Sequence, residues 1–138
     1  FTIARRYERQ CSDNVGAVRH VPLLHYDELD AFLRALPFGC QLVGVELDDR
    51  AVPLRKFQHP DRAIYLLGAE DHGLTKRARE ACHQLIVLPG KASVNVAVAG
   101  SLVMCHRVMQ RERETALLRA ATETARRQMP QAYAEAIG

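Results

Sequence analysis

Two apolar runs of about five residues stand out along the chain, each closed by a polar loop that carries glycine. Ala63-Ile64-Tyr65-Leu66-Leu67 leads into Gly68-Ala69-Glu70-Asp71-His72-Gly73-Leu74, and Gln84 to Leu88 leads into Pro89-Gly90-Lys91-Ala92-Ser93-Val94-Asn95. Continuous apolar runs of this length, bounded by turn residues, are the pattern of strands buried on both faces. They imply a parallel sheet with helices on both sides. Between the two runs Thr75 is placed to cap a helix from Lys76 to about His83, with Ala78, Ala81 and Cys82 facing inward. A right-handed crossover of this kind brings both post-strand loops to one edge of the sheet, where open parallel sheets bind ligands. Gly68 and Ser93 are therefore expected to be neighbours.

The rest of the chain supplies more of the same layers. Phe1 to Ala4 reads as the tail of a strand, and Leu23 to Tyr26 as a short extended piece. Leu29, Phe32, Leu33 and Leu36 recur at helical spacing behind Asp27, the expected cap, while Asp27, Glu28 and Asp30 complement the helix dipole. Gln41 to Leu47 is the next buried strand, and its carboxyl end should join the same ligand edge. Val52 to Asp61, with Pro53 and Pro60, reads as an irregular crossover packed down by Leu54 and Phe57. From Asn95 a long helix begins, and Val96 to Met104 leaves it almost no polar side, so it is expected to be covered nearly all round. Its small residues Ala97, Ala99, Gly100 and Ser101 admit the close approach of another backbone, in a core or at a subunit interface. Arg107 to Arg127 continues as a charged helix with a thin stripe of Leu117, Leu118 and Ala121, broken at Met129-Pro130.

Composition narrows the function classes. At 138 residues, 48% of them hydrophobic and 25% charged, the chain is one domain's worth of ordinary globular sequence. No apolar run approaches the roughly 20 residues of a membrane-spanning helix, and no membrane partner is expected. Cys11, Cys40, Cys82 and Cys105 occur singly, as reduced thiols of a cytoplasmic protein would. The dipeptides Cys82-His83 and Cys105-His106 lack the closely spaced pairs of a zinc site, so no metal is assigned. The net charge of +3 is mild, but Arg5, Arg6 and Arg9 surround Tyr7 directly after a strand. Arginines grip phosphates and tyrosine stacks on bases, which suits RNA loops or single strands rather than DNA. Dinucleotide, phosphate-loop, serine-hydrolase and zinc-protease motifs do not occur. The two loops offer backbone, hydroxyl and carboxylate groups. Gly68 and Gly90 allow close backbone approach, and Leu67, Leu88 and Val94 could sandwich a neutral purine.

The segment LLGAEDHGL resembles the second motif, and ASVNVAVAGSLVM the third, of the SpoU (TrmH-type) RNA 2′-O-ribose methyltransferases of the SPOUT superfamily. The pairing of G-x-E-x-x-G-L with S-x-N-V-[AS]-V-A across one strand carries the resemblance, which extends more loosely from Phe1 to about Arg111. It implies an α/β fold with a mostly parallel sheet, helices on both faces and a deep carboxyl-terminal trefoil knot. The expected organisation is a methyltransferase domain over residues 1–111 and a helical extension over 112–138. The resemblance further implies S-adenosylmethionine as cofactor, tRNA or rRNA as substrate, a homodimer, and methyl transfer to a ribose 2′-hydroxyl. Glu70, Ser93 and Asn95 take the catalytic positions on that basis, and Val45, Glu46, Leu67, Gly68, Gly73, Leu88, Ser93 and Val94 the cofactor pocket. Asn14 to Arg19 matches the family's first motif, N-x-G-x-x-R, in letters. Its setting differs, because Tyr7 to Asp13 is polar where the family has an apolar strand, and Pro22 follows where it has a helix. The first motif is therefore expected upstream of Phe1, and Arg19 joins Arg5, Arg6 and Arg9 as an RNA contact. The alternative is a module that binds RNA or cofactor without catalysis.

Overall fold

Strand β3, Gln41–Val45, is the axis on which the ligand edge is built. The structure, a computed structural model, describes residues 2–3, 20, 22–69, 71–90 and 94–128. The chain divides into two units, Phe1–Cys40 and Gln41–Gly138.

In the first unit, β1 (Thr2–Ile3) pairs in parallel with β2 (His25–Tyr26), and Thr2 Oγ1 lies 2.9 Å from His25 Nδ1. Helix α1 (Leu29–Arg34) follows, with Phe32 buried and set edge-on to Tyr26 at 5.4 Å between ring centroids. Its N-cap is Glu28, without a side-chain cap bond, where the sequence pointed to Asp27. Leu36 falls beyond the helix end, because the chain leaves the helical conformation at Ala35, ahead of Pro37.

The second unit is a four-stranded parallel sheet in the order β4 (Val52–Pro53), β6 (Gln84–Val87), β3, β5 (Ala63–Leu67). The two apolar runs are therefore not adjacent strands. β3 lies between them, with its Leu42 and Val43 fully buried. The stretch from Val52, expected to be irregular, contributes an edge strand, where the missing N–H of Pro53 costs no central ladder bond. A 3₁₀ turn, Leu54–Lys56, then buries Leu54, and Phe57 packs beside it.

Side chains alternate across β3, so Val43 and Gly44 serve opposite faces. Val43 clusters with Leu54, Phe57, Ile86 and Val103, the last from helix α3 (Val96–Gln128). Gly44 meets the layer of Leu74, Cys82 and Leu85, beside helix α2 (Lys76–Ala81). Leu42, Val43, Ile86 and Val103 are fully buried, each contributing about 1.5–3 kcal/mol of apolar burial. Thr75 caps α2 as expected, its side chain accepting the Ala78 N–H at 3.2 Å.

Helix α3 crosses the sheet towards the amino-terminal end of β5 and is latched there by polar groups. Arg107 donates to the carbonyls of Pro60 and Asp61 and to the Tyr65 hydroxyl, and Gln110 bonds the backbone of Phe57 and His59. His59 Nδ1 is 2.5 Å from Tyr65 Oη, and its Nε2 is 2.8 Å from His106 Nδ1. Burial, His106 and Arg107 lower the His59 pKa to about 4. A neutral His59 has one ring N–H, so it donates one of these two contacts and accepts the other. Within the single chain the outer side of α3 is uncovered. Ala99 and Val103 are buried, but Val98, Leu102 and Met104 are 43–52% exposed, and from Arg111 to Arg127 every side chain is exposed.

Candidate functional site

Register brings the site together. Val45 pairs with Leu67 on one side and with Ile86 on the other, so β3, β5 and β6 end at one level. Their loops enclose a hollow of about 250 Å³ outside the carboxyl ends of the strands. Its apolar walls are Val45, Leu67, Leu88 and Val94, and the first turn of α3 closes it with Val96 and Ala99. This is a nucleoside-sized space with apolar walls and the polar side chains of Glu46, Asp71 and His72 on its lining.

The Gly68–Leu74 loop forms one side, and its two glycines are steric necessities. The backbone folds back so that Ala69 and Gly73 exchange N–H to carbonyl bonds of 3.2 and 2.8 Å. A Cβ on Gly68 would stand 2.5 Å from both Gly73 Cα and Leu74 N, closer than real contacts allow. Gly73 has φ +62°, a left-handed conformation that other residues adopt at a cost, and a Cβ there would strike the Glu46 carboxylate.

Glu46 is the brace of this loop. It leaves β3 with its N–H bonded to the Ile86 carbonyl at 3.0 Å. Its Oε2 accepts the Leu74 N–H at 2.5 Å and its Oε1 the Leu47 N–H at 2.9 Å. The carboxylate thus ties the β3 exit to the loop after β5 and fixes the width of the hollow between them. Beyond Leu47, Asp48 accepts both Nε and Nη2 of Arg50 at 3.0 and 3.1 Å and faces Arg79 of α2 at 3.7 Å. The Arg50 hydrogen bonds hold the Asp48 carboxyl down to about 2.

Of the residues singled out in the sequence, Val45, Glu46, Leu67, Gly68, Gly73, Leu88 and Val94 all line this one hollow. Asn95 stands at the start of α3, its Oδ1 accepting the Ala97 N–H at 2.9 Å. Glu70, Ser93, Arg5, Arg6, Arg9 and Arg19 lie outside the described residues. Leu47, Ala69, Asp71, His72 and Val87 also line the hollow, and sequence reasoning did not assign them. The signal for Asp71 and His72 was their place between Gly68 and Gly73. Leu47 ends the run whose carboxyl end was expected at this edge, whereas Val87 became a neighbour of the site through strand register, which the sequence does not display.

A parallel sheet with helices packed against it and a glycine-lined hollow at the ends of three strands defines an α/β domain. The chain belongs to the SpoU rRNA Methylase family, in the SPOUT superfamily, whose profile matches residues 4–105. It is 34% identical over 100 residues to a Burkholderia protein named 23S rRNA (guanosine-2′-O-)-methyltransferase RlmB, covering 70% of this chain and 40% of that one. With the RlmB of Acinetobacter baylyi it shares 31% identity over 77 residues, 54% of this chain and 31% of the relative. The chain thus spans well under half the length of these curated relatives. A structure solved in work on 2-OH methylation of C/U34 on tRNA has the same fold, with a TM-score of 0.60 over 78% of this chain and 75% of that one at 24% identity.

Proposed function

We propose that this chain is the cofactor-binding part of an S-adenosylmethionine-dependent methyltransferase acting on a ribose 2′-hydroxyl of tRNA or rRNA. The observation that carries the reading is the hollow at the in-register ends of β3, β5 and β6, built by the two family motifs in a SpoU chain. Its apolar walls suit an adenine ring, and Gly68 leaves backbone accessible to the rest of a nucleoside. S-adenosylmethionine supplies an already activated methyl group. The protein's share of the work is alignment, exclusion of water and removal of one proton. Val45, Leu67, Leu88 and Val94 hold the base, while Glu46 and Gly73 set the loop around it. Glu70, Ser93 and Asn95 face the reacting groups, and Arg5, Arg6, Arg9 and Arg19 hold RNA phosphates. The segment after β6 threads a trefoil knot. The protein works in the cytoplasm, a reading supported by the free thiols of Cys40, Cys82 and Cys105.

The same reading includes a homodimer through the outer side of α3. Val98, Leu102, Cys105 and Met109 follow one another at i, i+4, i+7 and i+11, all exposed, on a helix whose inner side is already packed on the sheet. A stripe of this spacing is the seam of a helix pair.

Isothermal titration of the chain with S-adenosylmethionine, followed by methyl transfer to unmodified tRNA and 23S rRNA transcripts, tests the proposal. Saturable binding and incorporation of labelled methyl are expected. Absence of binding refutes the cofactor reading, and binding without transfer favours a non-catalytic module.

A further inference from the structure

One side of helix α3 serves both the hollow and the polar latch at the other end of β5. Val96, Gly100, Val103 and Arg107 follow one another at i, i+4, i+7 and i+11, a single helical stripe. Val96 closes the hollow, and a Cβ on Gly100 would rest 3.6 Å from Leu67 Cδ2. Val103 is buried in the core, and Arg107 reaches Tyr65 and the turn before β5. Leu67 and Tyr65, two residues apart, face this stripe from the strand. Apolar contact through small residues such as Ala99 and Gly100 is non-directional, so it holds a helix down without fixing where along the strand it lies. Hydrogen bonds supply that register, because they weaken steeply with misalignment.

The bonds of the latch form a closed circuit. Arginine only donates, so the Tyr65 hydroxyl oxygen accepts from Arg107 Nη1 at 2.8 Å and its own proton goes to His59 Nδ1. His59, kept neutral by burial, His106 and Arg107, then carries its proton on Nε2 and donates it to His106 Nδ1 at 2.8 Å. The circuit starts and ends on adjacent residues of α3 and passes through β5 and the loop before it. Arg107 also donates to the carbonyls of Pro60 and Asp61, at 2.7 and 2.8 Å. About 10 Å of helix separates Arg107 from Gly100, so a slip at the latch is carried by a rigid element to the wall of the hollow.

We propose that Arg107, through its circuit with Tyr65, His59 and His106, is a positioning residue for the methyl donor: it sets the register of α3 on β5, and so the spacing between the first turn of the helix and the Leu67 wall of the hollow. This inference rests on the methyltransferase reading given above. It adds to that reading four residues outside the lining of the hollow, acting through the helix that closes it.

The test uses the full chain and the variants Arg107→Ala, Tyr65→Phe and Arg111→Ala. Arg111 bonds the same Asp61 carbonyl at 3.1 Å but stands outside the circuit, which makes it the control. S-adenosylmethionine affinity is measured by calorimetry, and the methyl resonances of Leu67 and Ala99 and the ring nitrogens of His59 by NMR on the ligand-free chain. Arg107→Ala is expected to weaken binding roughly 3- to 30-fold and to shift both methyl resonances before any ligand is added. Tyr65→Phe keeps the ring and loses only the hydroxyl, so it should move the same signals by less; it decides the matter if Arg107→Ala does not fold. Unsubstituted chain should show His59 protonated at Nε2, and Arg111→Ala should bind within about twofold of it. The proposal is overturned by His59 protonated at Nδ1 alone, by unshifted Leu67 and Ala99 methyls in both circuit variants, or by an equal loss of affinity in Arg111→Ala. If the unsubstituted chain binds no S-adenosylmethionine, the cofactor reading falls and this inference falls with it. If that chain binds and the Arg107 and Tyr65 variants equal it, the inference alone falls.

Discussion

Replacing Gly73 by alanine perturbs two things that the structure separates. The residue sits at φ +62°, where a side chain costs about 1–2 kcal/mol, and its new Cβ would occupy the place of the Glu46 carboxylate, 3.0 Å from Cδ. To make room, Glu46 must give up the Leu74 N–H, a charge-assisted bond of about 1.5–3 kcal/mol to a residue that is itself buried. Gly73→Ala alone should therefore cost roughly 2.5–5 kcal/mol. Glu46→Ala alone loses the same bond, roughly 1.5–3 kcal/mol. In the double variant the bond is already gone and the collision has no partner, so the backbone cost is all that Gly73→Ala adds. The two changes should thus be less than additive by about 1.5–3 kcal/mol. Urea unfolding followed by far-ultraviolet circular dichroism, on the four members of the cycle, measures this directly. Additivity to within about 0.5 kcal/mol would refute the brace and with it the account of how the hollow keeps its width.

Three further outcomes follow from single contacts. Thr75→Ala removes the cap on the Ala78 N–H and should lower stability by about 1 kcal/mol, seen as a lower urea midpoint with an unchanged slope. His59 binds its proton more weakly in the folded chain, at about 4 against 6.5, so the unfolded state gains protons first as pH falls. Stability should be fully present above about pH 6.5 and decline between there and about pH 4, and His59→Gln should flatten that slope in urea titrations across the range. A charge at Leu102, 43% exposed on the outer stripe of α3, should shift the chain from dimer to monomer in sedimentation equilibrium while leaving its circular dichroism unchanged. Monomeric unsubstituted chain at micromolar concentration would count against that interface.

Local chemistry in the sequence determined a good deal. The apolar runs at Gln41, Ala63 and Gln84, about five residues long and bounded by turn residues, became strands of a buried parallel sheet, which accommodates such residues side by side. Thr75 became a cap, and Leu54 and Phe57 pinned their crossover, for equally local reasons. The Gly68 to Leu74 pattern announced a tight loop whose glycines the fold turns out to require. What the tertiary structure decided was pairing and neighbourhood. Placing β3 between β5 and β6 is a choice among arrangements of equally apolar strands, and periodicity does not rank them. That choice set the Glu46 carboxylate under Leu74, 28 residues away, and brought Leu47 and Val87 to the hollow. It also left the outer side of α3 uncovered within the single chain, because a helix on one face of a sheet can bury only one of its sides against it.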